Sequence, residues 1–100
     1  MNRFVLTPEA RADLTEIVNY ISRDNPNAAR RVLHELRDVM RKLAATPEMG
    51  HFRRDLAGEP LRFWPVYSYL VIYRPENRPL QIVRVLHGAR DVRAILEEIS

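Results

Sequence analysis

A chain of 100 residues with 46% hydrophobic content is long enough for one domain with a buried core and does not need a second. The absence of cysteine excludes disulfides, thiolate catalysis and cysteine-ligated zinc, and it suits a reducing compartment. Sixteen basic against 13 acidic residues, a net charge of +3, is a weaker balance than a nucleic-acid coat protein requires, although every basic residue except Lys42 is arginine.

Phe4, Val5 and Leu6, following Arg3, cluster as a short first strand that must join a larger sheet to be stable. Thr7, Pro8 and Glu9 predict a helix start: a hydroxyl N-cap, a proline where no N–H is needed, and an acid at the positive end of the dipole. This first helix runs to about Ser22, with Ala10, Leu14, Ile17, Val18 and Ile21 on one face. Asn25 and Pro26 repeat the signal, so an antiparallel second helix follows, apolar along Ala29, Val32, Leu33, Leu36, Val39, Met40 and Leu43 and ended by Thr46 and Pro47. A strand and a helix start within the first eight residues leave no room for an apolar leader, so a cytoplasmic location is expected.

Glu48 to Pro60 reads as a surface loop carrying Gly50, Gly58, Arg53 and Arg54. Leu61 to Trp64 begins a meander, Pro65 weakens it as a central strand, and Tyr67 and Ser68 turn the chain. Tyr69 to Tyr73 and Leu80 to Leu86 form a strand hairpin about the Pro75 to Pro79 turn. Ile82, Val83, Val85 and Leu86 break simple alternation, so the last strand is expected to be interior and covered on both faces. Gly88 is expected at a positive φ, and Asp91 as the N-cap of a terminal helix containing Val92, Ile95, Leu96 and Ile99. The order β-α-α-β-β-β-α predicts a single α+β domain over residues 1–100. A two-helix hairpin covers one face of a small, mostly antiparallel sheet, and a short helix closes the chain.

FVLTPEARADLTEIVNYI, DNPNAARRV, PEMG, LRFWPVYSYLVIYRP and RVLHGARD, in that order, resemble the ParE branch of the ParE/RelE toxin superfamily over nearly the whole chain. The resemblance implies the toxin of a bacterial type II toxin–antitoxin pair, held by a ParD-like antitoxin and linked to plasmid stabilisation and stress response. ParE-like toxins act on DNA gyrase, whereas RelE-like relatives on the same fold cleave ribosome-bound messenger RNA, and fold alone does not separate the two.

A metal-independent ribonuclease needs a base, an acid, and cations for the developing phosphorane charge. His87 with Arg84, Arg62 and Arg54 is the candidate set, and Arg53, Arg74 and Arg90 are further cations. RelE-like nucleases carry a late tyrosine and more lysines; this sequence has no tyrosine after Tyr73 and no lysine after Lys42. The expectation is therefore a non-enzymatic gyrase inhibitor, with the nuclease and an inactive interaction module as alternatives. Arg53, Arg54, Arg84, His87 and Arg90 are its candidate target contacts. Trp64, Tyr67, Tyr69 and Tyr73 interleaved with Arg62 and Arg74 could stack bases, but Tyr69 and Tyr73 are assigned to the core, and direct nucleic-acid binding is not expected. His34, His51 and His87 are too scattered for a metal site; no metal, cofactor or membrane partner is expected.

Overall fold

The two cap-and-proline signals set the helical layer. In the computed structural model, which describes residues 3–58 and 60–98, the Thr7 hydroxyl accepts from the Ala10 N–H at 3.0 Å and Asn25 Oδ1 accepts from the Ala28 N–H at 3.1 Å. Helix α1 (Pro8–Ser22) and helix α2 (Pro26–Ala45) accordingly begin at the two prolines, where the missing N–H costs nothing. Their apolar stripes meet the same face of a sheet. Ala10, Leu14 and Ile17 of α1 and Leu36, Met40 and Leu43 of α2 are buried, with Val32, Leu33 and Val39 packed at the margin.

The sheet has five strands in the order β1-β5-β4-β3-β2. Strand β1 (Phe4–Leu6) pairs parallel with β5 (Leu80–His87), and β4 (Tyr69–Arg74), β3 (Arg62–Val66) and β2 (His51–Phe52) continue antiparallel. Strand β2 is a departure from the predicted loop, which also contains a 3₁₀ turn at Pro47–Met49. A two-residue strand carries no periodicity, so it exists only because β3 lies beside it. It reaches only Phe63 and Arg62, leaving Pro65 on the stretch of β3 whose outer side is open. That is where a residue without an N–H is tolerated.

Strand β5 is interior and covered on both faces. Ile82 and Val85 join the helix-facing core, while Val83 and Leu86 join a second cluster with Leu61, Phe63, Ile72, Val92 and Leu96. Strict alternation cannot put residues three apart on one face. One extra residue supplies the shift: Tyr73 pairs with Ile82 but its neighbour Ile72 pairs with Arg84, so Val83 is inserted as a bulge. The second cluster is closed by α3 (Val92–Glu97), whose N-cap Asp91 accepts from the Ala94 N–H at 3.2 Å. Ile99, expected to continue that helix, lies outside the described residues.

The positive φ expected at Gly88 occurs instead at Tyr67, with φ 54°, and no described glycine has one. Val66 pairs with Tyr69, so Tyr67 and Ser68 form a two-residue hairpin loop. Such loops need a positive φ at a central position to match the strand twist, and with only the first central residue positive the turn is of the II′ class, where glycine is usual. Holding an L-residue there costs about 1–2 kcal/mol. Gly88 simply donates its N–H to the Ser68 carbonyl at 2.8 Å. No helix among the described residues is long and apolar enough to cross a membrane.

Leu36 is fully buried between α2 and the sheet. Leu36→Ala is expected to lower stability by about 2–5 kcal/mol, the range for large-to-small core changes. Chemical denaturation reads this directly, and an unchanged midpoint would place α2 in a different orientation.

Candidate functional site

A bulge leaves backbone groups out of the ladder, and here α1 and its cap take them up. The Thr7 hydroxyl donates to the Val83 carbonyl at 2.7 Å. Asp13, 4% exposed, accepts from the Val85 N–H at 2.9 Å and binds Arg84 through two parallel bonds, from Nε at 2.7 Å and Nη2 at 2.8 Å. This bidentate geometry is the strong form of an arginine–carboxylate pair. The hydrogen bond to Asp13, more than the charge, holds Arg84 above its ordinary range. Arg84, a candidate target contact and nuclease cation, is thus an internal strut whose side chain is only 16% exposed.

Arg62 is similarly engaged. Its Nη1 donates to the Gly50 carbonyl at 2.7 Å and to the Glu48 carbonyl at 3.3 Å, and the guanidinium lies 4.1 Å from the Phe52 ring centroid. Beside it the buried Tyr73 hydroxyl donates to the Pro47 carbonyl at 2.5 Å and accepts from the Gly50 N–H at 2.9 Å. Burial pushes the Tyr73 phenol up, with the Gly50 amide opposing. A Cβ on Gly50 would stand 2.5 Å from that hydroxyl, so the glycine is demanded by close approach. The PEMG stretch is therefore a clamp between the end of α2 and the sheet.

The remaining candidates gather at one end of the molecule. His87 is exposed at the end of β5, edge-on to Tyr69 at 5.4 Å, and its Nδ1 accepts from the Ala89 N–H at 3.0 Å. His87 and Arg90 line an open groove of about 660 Å³ with Glu16, Tyr20 and Arg23 of the α1 end, floored by Ile17 and Val85. Arg90 also lines a neighbouring depression of about 330 Å³ with Arg53 and Tyr67. Arg53 shares its guanidinium with the exposed Asp55 at 2.8 and 3.0 Å. Arg54 lies in the adjoining loop beside Phe52 and Pro60. Arg74 is away from this end, bonded to Gln81 across the hairpin at 3.1 Å.

Of the aromatics, Tyr73 is fully buried, Tyr69 and Trp64 are half-buried against the helix-facing core, and Tyr67 is 60% exposed. Burial raises the Tyr69 phenol; the hydrogen bond that the Tyr67 hydroxyl donates to the Glu35 carboxylate raises that of Tyr67. His51 stacks on Trp64, and His34 lies 3.2 Å from Asp38 on the outside of α2. Among the described residues no three His, Asp or Glu side chains converge as metal ligands would. The sequence reasoning missed Asp13, and it named Tyr67 as a turn residue and a possible stacking ring without its positive φ. Asp13 had a readable signal, because it falls three residues after Ala10 and four before Ile17, on the buried stripe. The positive φ of Tyr67 had none.

Residues 4–92 match the family described as the ParE toxin of the type II toxin–antitoxin system parDE. The chain belongs to that family. This toxin is 37% identical over 91 residues to Toxin RelE2 of Caulobacter vibrioides, covering 90% of this chain and 99% of the relative. It is 29% identical over 97 residues to Toxin ParE3 of the same organism, covering 96% of each. Its fold matches a solved chromosomal ParDE TA system from P. aeruginosa with a TM-score of 0.71 at 20% identity, over 87% of this chain and 96% of that one. The relatives carry names from both branches of the superfamily, so the toxin's mechanism has to be argued from its own residues.

Breaking the Asp13–Arg84 unit should be costly, because a largely buried guanidinium and the buried Val85 N–H would lose their acceptor together. Asp13→Ala is expected to destabilise the toxin by about 3–5 kcal/mol, the usual result of removing one partner of a buried pair. A loss well below that range in a urea titration would mean that solvent reaches Arg84 and replaces the carboxylate.

Proposed function

We propose that this toxin inhibits DNA gyrase by binding it, without catalysing a reaction of its own, and that a ParD-like antitoxin holds it inactive. The observation that carries the reading is the occupation of His87. Its Nδ1 accepts the Ala89 N–H, so the neutral ring carries its hydrogen on Nε2 and has no free lone pair to take a proton from a 2′-hydroxyl. Two of the candidate nuclease cations are engaged elsewhere, Arg84 by Asp13 and Arg62 by the Gly50 carbonyl. The match to the ParE family and the naming of ParE3 support the same side. A gyrase-directed toxin works in the cytoplasm.

The description of the P. aeruginosa neighbour as a ParDE system supports an antitoxin partner. Exposed apolar side chains offer it surface: Val5 on edge strand β1, 45% exposed, and Tyr20 on α1, 66% exposed. An open strand edge and a half-apolar helix face are what a segment that folds on binding uses.

The ribonuclease remains the second reading because RelE2 is among the relatives. Purified toxin is expected to inhibit gyrase supercoiling while leaving ribosome-bound messenger intact, and His87→Ala to cause at most a partial loss. Cut transcripts with gyrase untouched, and a fall in cleavage of roughly two to four orders of magnitude in a folded His87→Ala variant, would give the activity to a positioned acid or base. No effect on either process would leave an inactive interaction module.

Co-expression with the product of the adjacent gene is expected to yield a stable complex and restore growth. A neighbouring product that neither copurifies nor protects would remove the antitoxin from the account.

A further inference from the structure

Tyr67 sits at a backbone position that glycine usually holds, and its ring does not recover the cost by burial, since it is 60% exposed. Its tie to the Glu35 carboxylate on α2 is equally open to solvent, where such a bond adds little. The ring stands at the rim of the depression that holds Arg53 and Arg90, over a floor of Leu56, Pro65 and Leu70. Among the described residues no acceptor engages the Arg90 side chain. Strain kept at an exposed site points to a role outside the fold.

We propose that this depression is where the toxin docks its protein target, with Tyr67 as the anchoring ring and Arg53 and Arg90 receiving carboxylates from an acidic segment that lays an apolar side chain on the floor. Exposed tyrosine and arginine around an apolar centre are the side chains that dominate protein interfaces. A single exposed ring lining the same depression as two cations, one already shared with Asp55, fits that pattern better than a stack of bases along a basic groove. The inference rests on the reading that the toxin acts by binding.

Three variants test it. Tyr67→Gly and Tyr67→Asn relieve the strained φ and remove the ring; Tyr67→Phe keeps the ring without the hydroxyl. The first two are expected to melt at or above the parent temperature, to copurify with the antitoxin, and to need roughly tenfold more protein for growth arrest and for inhibition of purified gyrase, as when an anchoring aromatic is lost. Tyr67→Phe should restore most of the potency, and Arg90→Ala should weaken inhibition more at low salt than at high. Full toxicity in Tyr67→Gly would overturn the proposal. So would lowered melting in both the Gly and Asn variants, which would make the ring part of the fold, or a Phe variant as weak as Gly, which would give the role to the hydroxyl and Glu35. Loss of RNA cleavage in place of gyrase inhibition would assign the depression to nucleic acid and also overturn it. A parent toxin that spares gyrase, with growth arrest still lost in Tyr67→Gly, would replace gyrase by another protein target and leave the docking surface standing.

Discussion

The toxin is held together at the point where β5 departs from regular pairing. The extra residue Val83 breaks the ladder, and a broken ladder inside a protein leaves donors and acceptors that water cannot reach. Helix α1 supplies the replacements, Thr7 for the Val83 carbonyl and Asp13 for the Val85 N–H, and Arg84 neutralises the carboxylate. Each member is expensive without the others. Asp13 would be a buried charge without Arg84, and the bulge would be a pair of orphaned groups without α1. The unit therefore fixes the height and rotation of the helical layer over the sheet, a precision that hydrophobic contact alone does not give.

A second lock lies at the other end of α2. Tyr73 reaches from β4 under the 3₁₀ turn, bonded to Pro47 and Gly50, and Arg62 grips the same loop from β3. Both residues are on strands, and both bind backbone groups, so the clamp depends on where the loop's carbonyls point and hardly on its side chains. Gly50 is the exception, because the space a Cβ would need is occupied by the tyrosine ring. Arginines at strand positions thus serve the interior, although arginine is also the residue expected to meet a target.

The candidate contacts that the fold leaves outside gather where β5 ends and α3 begins. His87, Arg90 and Arg53 come from the end of β5, the turn after it and the β2–β3 loop, and the α1 end adds Tyr20 and Arg23. These residues make few or exposed bonds to the rest of the protein, so they can reorganise around a partner without loosening the core. The division between arginines engaged inside and arginines left outside is the physical basis for favouring binding over catalysis.

Local signals in the chain set the starts of α1 and α2 to the residue and their ends approximately: a side-chain oxygen before a proline dictates where a helix can begin, and a 3.6-residue stripe dictates which face is buried. The broken alternation of Ile82 to Leu86 likewise announced a strand covered on both faces. Those features depend on neighbours a few residues apart. The Asp13–Arg84 pair spans 71 positions and the Tyr73–Pro47 bond 26, and no short-range pattern encodes which distant groups a fold will juxtapose. Tertiary structure alone also formed β2, because a two-residue strand is defined only by its partner, and it placed the positive φ on Tyr67, because the tight turn between β3 and β4 is required by the pairing of Val66 with Tyr69 whatever residue stands there. It decided as well which of the candidate arginines point into the protein and which away from it, a matter of strand register and of the one inserted residue, to which composition and spacing are blind.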